Sequence, residues 1–148
     1  MNTDTDILTD LLQTLQDGRK GFSQAADKLG DDGHTNLAST FRELSQQRSQ
    51  FASELRRLSG DEDTYEEEGS AVAALHRGWI RMKDALTGTD PEGVIGAAET
   101  GEEHAVKEYQ KALDNDDLSG EARSVVQRQY TEIQAAQSRV AALKNATS

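Results

Sequence analysis

Along residues 35–59, Leu37, Phe41, Leu44, Arg48, Phe51, Leu55 and Leu58 follow one another at an unbroken 4–3–4–3–4–3 spacing. Only a helix puts that series on one face, because a strand turns its side chains over at every second residue. The face is apolar except for its central member, Arg48. A stripe arginine either snorkels outward with its stem buried or points into the core, where it needs a carboxylate partner. The same conflict recurs in residues 91–114, PEGVIGAAETGEEHAVKEYQKALD, where Ile95, Ala98, Ala105, Tyr109 and Ala112 share a face. There the spacing runs straight through Glu102. Asp90 is placed as the N-cap of this helix and Pro91 at its first position, where a missing N–H costs nothing. Two helices each carry one charge where the core should be.

Two more long helices are expected. The first covers residues 5–29, with Ile7, Leu11, Leu15, Gly18, Phe22, Ala25 and Leu29 as its stripe and Asp4, Asp6 and Asp10 suiting the positive end of its dipole. A glycine inside a helix costs about 1 kcal/mol relative to alanine, so Gly18 on the buried stripe points to close approach by something bulky. Asp17 falls on the opposite side and is expected to be solvated. The turn GDDGH, residues 30–34, closes this helix with Gly30 as its cap. The last helix runs from about Ser119 to residue 146, its stripe Ala122, Val126, Gln129, Ile133, Ala136, Val140 and Leu143 again interrupted by a polar residue.

Between the two charged helices, residues 60–68, GDEDTYEEE, read as a solvated acidic loop. Residues 70–86 form a shorter helix with Val72, Leu75, Trp79, Met82 and Leu86 on one face and His76 at its margin. Its apolar face around Trp79 is a candidate surface for a homodimer or a protein partner.

The composition removes several function classes. A net charge of −11 argues against nucleic acid or an anionic membrane surface as partner. The absence of cysteine excludes disulfides, thiolate catalysis and cysteine-based metal sites. No apolar run approaches the ~18 residues of a membrane span, and the start MNTDTDILTD is acidic where a signal peptide would be basic. The expectation is a cytoplasmic protein with one domain, residues 1–148. No catalytic residues are expected: the chain holds no triad spacing, nucleophile elbow, phosphate loop or dinucleotide fingerprint.

Short connections favour antiparallel neighbours, so the first helix pairs with the second and the Pro91 helix with the last. Folding both pairs at their turns brings Gly18, Arg48, Glu102 and Gln129 to one central layer, flanked by Thr14, Glu99 and Tyr130. Two hairpins joined by a long connection, here carrying the extra short helix, describe an all-α, ferritin-like four-helix bundle. In di-metal members of that architecture the central layer holds glutamates and Glu-x-x-His motifs. Those motifs are absent here, and a guanidinium beside the site repels a divalent cation. No metal or other cofactor is therefore expected. Were iron bound, Glu99, Glu102 and Glu103 are its candidate ligands, although a solvated helix face explains Glu99 and Glu103 more simply. A buried Arg48–Glu102 ion pair accounts for both interruptions at once, with Gly18 leaving room for the guanidinium and Gln129 taking a remaining hydrogen bond.

The segments DGRKGFSQAA (17–26), RSQFASELRRL (48–58), ALHRGWIRMKDALTG (74–88), ETGEEHAVKEYQKAL (99–113) and VVQRQYTEIQAAQSRV (125–140) resemble a bacterial ferritin-like four-helix-bundle family, domain of unknown function 2383. The resemblance implies a ferritin-like fold and a small cytoplasmic protein linked with stress responses, and it implies no activity. The family pattern has a histidine where this chain carries Gln137, a departure that weakens any metal inference. The reading is a non-enzymatic, stress-associated or interaction protein. The alternative is a metal-binding, di-iron type oxidase or iron-storage protein.

Overall fold

The computed structural model describes residues 3–59, 91–118 and 120–147, and these contain four α-helices. They are α1 (Thr3–Asp31), α2 (Thr35–Ser59), α3 (Pro91–Leu113) and α4 (Gly120–Thr147). The architecture is an all-α bundle. Helix α1 packs along α2 and α3 along α4; α1 also meets α3, and α2 meets α4 along a thinner seam. No helix among the described residues is long and apolar enough to cross a membrane. Asp90, the acidic run 60–68, His76 and the Trp79 helix lie outside the described residues.

The stripes become the core. The six expected positions of α3 behave as the spacing requires: Ile95, Ala98, Glu102, Ala105, Tyr109 and Ala112 are buried, together with Val94. Helix α1 buries a wider band than one stripe, adding Leu8, Leu12 and Ala26. Between Leu11 and Gly18 it is enclosed on every side. Asp17 therefore corrects its expectation: it is 7% exposed, because both faces of α1 are covered at this level and none is left to solvent.

The first turn closes three residues later than the sequence pattern places it. His34 N–H donates to Leu29 O at 2.8 Å and Gly33 N–H to Gly30 O at 3.1 Å. This is the paired closure of a Schellman motif, and it requires a left-handed residue between the two helices. Gly33, at φ 90°, supplies it. Gly30 stays inside α1, where an added Cβ would lie 3.4 Å from the Arg42 guanidinium.

The core falls into two apolar halves. One gathers Leu8, Leu11, Leu12 and Leu15 with Phe51, Leu55, Tyr109, Val126 and Ile133. The other gathers Phe22, Leu29, Phe41 and Leu44 with Val94, Ile95, Ala98 and Val140. Both halves draw on all four helices. Arg48 and Glu102 lie between them.

Candidate functional site

Arg48 and Glu102 reach the centre of the bundle because each is the middle member of an otherwise apolar helical stripe. Arg48 is 2% exposed and Glu102 fully buried. Arg48 Nη2 donates to Glu102 Oε2 at 2.7 Å. Nη1 lies 2.7 Å from Oε1, an ion contact off the hydrogen-bond axis. One charge-assisted hydrogen bond and a second close ion contact thus join the guanidinium to the carboxylate. Arg48 Nε donates to Gln47 Oε1 at 3.2 Å, and the guanidinium carbon sits 5.2 Å from the Phe22 ring centre. Phe22 in turn packs against Phe41 at 5.8 Å.

Gly18 lies against the arginine. A Cβ built there would stand 3.6 Å from Nη1 and 3.7 Å from Cγ, ordinary van der Waals contact. The guanidinium does approach, but it leaves space for a methyl group. The glycine is therefore not a steric requirement of the pair.

Gln129 is buried but belongs elsewhere. It accepts from the Tyr109 hydroxyl at 2.7 Å and donates to Glu54 Oε1 at 3.0 Å and to the Phe51 carbonyl at 3.3 Å. It makes no hydrogen bond to Arg48 or Glu102. The reason is register: Tyr109 faces Gln129 across the antiparallel α3–α4 pair, so Glu102, seven residues back, faces Ala136, seven residues on. The hairpin is centred near the start of α4 rather than mid-turn. A shift of a few residues at that centre moves the opposing residue by two helical turns. The polar positions thus form two layers, Arg48–Glu102 with Gly18 in one and Tyr109–Gln129–Glu54 in the other. Arg128 extends the second layer to the surface through its ion pair with Glu54.

The flanking residues do not join either layer. Thr14 is buried and returns its hydroxyl to the Asp10 carbonyl at 3.2 Å. Tyr130 accepts from Gln110 and Gln134 near the surface. Glu99 faces Lys144 at 3.7 Å and Glu103 faces Lys107 at 3.3 Å. The three carboxylates considered as iron ligands therefore diverge, one inward and two outward. Among the described residues no group of three or more histidine or acidic side chains is placed to hold a metal ion. The donor set around Glu102 is one carboxylate already matched to a cation, which does not fit a divalent metal.

One contribution had no signal in the stripe pattern, and a second only a partial one. Arg123 donates to the carbonyls of Leu118 at 2.8 Å, Leu113 at 2.9 Å and Asn115 at 2.8 Å, stapling the α3–α4 turn. Tyr109 gave a partial signal, since a buried tyrosine hydroxyl needs a partner.

Residues 4–115 match the family described as domain of unknown function (DUF2383). The chain belongs to this family. The DUF2383 match spans α1, α2 and α3, with Gly18, Arg48, Glu102 and Tyr109, and ends before α4 and Gln129. No curated protein matches the chain.

The second layer has a pH consequence. Burial, more than any neighbouring charge, holds the Tyr109 phenol well above its ordinary 10.0. Above pH 10 the unfolded chain releases this proton while the folded chain keeps it, so the folded state binds more protons there. Stability is complete below pH 10 and falls by about 1.4 kcal/mol per pH unit above it. Urea unfolding at stepped alkaline pH should show that slope, and Tyr109→Phe should flatten it. Equal slopes in the two proteins would remove Tyr109 as the cause.

Proposed function

We propose that this protein is a ferritin-like bundle in which a buried ion pair occupies the level where di-metal members hold their metals, and that it acts as a non-enzymatic interaction protein. The observation that carries the reading is the two-point Arg48–Glu102 contact, with both side chains removed from solvent. A carboxylate committed to a guanidinium is not free to bind a cation or to move a proton, and the second layer is likewise internally matched through Tyr109, Gln129 and Glu54. A role in stress responses is proposed on the family resemblance alone. No cofactor is part of this reading.

The test is an anaerobic Fe(II) titration of the purified protein, followed by desalting and elemental analysis. The expected result is no stoichiometric retention. Retention of one or two metal ions per chain, lost on replacing Glu102, would overturn the proposal and restore the di-iron alternative, with Glu99 and Glu103 the next ligands to replace.

A further inference from the structure

The outward side of α1 is buried where a corner helix of a four-helix bundle should meet water. Leu11, Leu15, Gly18 and Phe22 turn one side of α1 to the core, and helical spacing puts Gln13, Gln16 and Asp17 on the other. All three are nonetheless no more than 7% exposed. The covering is local, because Lys20, Gln24 and Asp27, further along the same side, are exposed. Helices α2 and α3, packed on α1, flank its core side as neighbours in a bundle do. Gln13 Oε1 has no hydrogen-bond partner among the described residues. The corresponding side of α4, at Thr131, Ala135, Ser138 and Ala142, is exposed throughout.

The topology leaves two routes for the chain between α2 and α3. These helices stand at opposite corners, since each packs along both α1 and α4. They also run in the same direction. Leu58, near the end of α2, packs in the half of the core that holds Leu8 and Ala112, whereas Val94 and Ile95 open α3 in the half that holds Leu29 and Phe41. The 31 residues between them, 60–90, therefore travel the length of the bundle and pass outside either α1 or α4.

We propose that this connection passes outside α1, and that residues 70–86, which lie outside the described residues, dock their apolar face on Leu12, Gln13, Gln16 and Asp17. The buried outward side belongs to α1 and the open one to α4. As a helix, residues 70–86 are about 25 Å long, enough to run well past the two covered turns. Val72, Leu75, Trp79, Met82 and Leu86 supply the apolar area that takes the side of α1 out of water. Asp17, a carboxylate held away from solvent, selects a cationic neighbour. Lys83, four residues after Trp79, and His76, three before it, border that apolar face, whereas residues 60–68 carry acidic charge only. The face around Trp79 is thus used within the chain rather than offered to a second copy.

The chain has no cysteine, so a single introduced thiol reports on its own site. Gln16→Cys and, separately, Gln13→Cys should react with a small maleimide at least about tenfold more slowly than Ser138→Cys on the open side of α4. Adding Trp79→Ala, alone and with Leu75→Ala, should remove most of that protection. Val140→Cys, in the core, should stay protected in the same backgrounds, which separates local uncovering from unfolding. The protection should not depend on protein concentration. Equal rates for Gln16→Cys and Ser138→Cys would overturn the covered side. Protection that survives both alanines would overturn residues 70–86 as its occupant. Protection lost on dilution would place a second copy there and overturn docking within the chain.

Discussion

Replacing Glu102 alone by Met lowers the free energy of unfolding by about 3–5 kcal/mol, because the Arg48 guanidinium is then left buried without its counter-charge. Replacing Arg48 by Leu at the same time should recover much of that loss. The pair is not a large net source of stability: removing two charges from water costs about what their mutual attraction returns, and apolar residues of similar size do as well. The asymmetry between single and double variants is the signature of coupling. Urea unfolding of Glu102→Met and of Arg48→Leu/Glu102→Met measures it. A double variant no more stable than the single would mean that the two side chains act independently, despite a 2.7 Å separation.

The second large effect is expected at Phe22, fully buried between Arg48 and Phe41. Phe22→Ala should cost about 3–5 kcal/mol, the usual loss for deleting a core aromatic ring. Phe22→Leu keeps most of the apolar volume but removes the ring face from the guanidinium, and should cost about 1–2 kcal/mol. Part of that cost belongs to the cation–ring attraction. In the Arg48→Leu/Glu102→Met background the leucine substitution should therefore be milder, and a double-mutant cycle isolates the difference. An identical cost in both backgrounds would show that Phe22 acts only by filling space.

Helical spacing made the four long helices legible because each carries a single, regular buried face, and Arg48 and Glu102 stood out as polar members of otherwise apolar stripes. Their pairing followed from needing a partner for each buried charge. What the spacing did not carry was vertical register between helices. With the turn at 115–118 as the centre of the hairpin, Gln129 falls beside Glu102, whereas the Tyr109–Gln129 hydrogen bond centres it several residues further on. The burial of Asp17 was missed for a related reason: a stripe records which face of one helix is apolar, not how many faces the assembly covers. Gly33, not Gly30, closes α1. Both glycines lie in the same five-residue turn, and only the backbone hydrogen bonds distinguish them.

The division of the core into two apolar halves bears on alignment. Alanines at 98, 105, 112, 122 and 136 present small, nearly interchangeable steps along the facing stripes, and smooth stripes of that kind can slide past one another by a turn with little change in buried area. One turn of slippage, about 5.4 Å, would set Arg48 opposite Ala98 or Ala105 and leave two charges in the interior without counter-charges. The ion pair thus works as an alignment pin. It contributes little to how strongly the helices adhere, and it excludes every register but one.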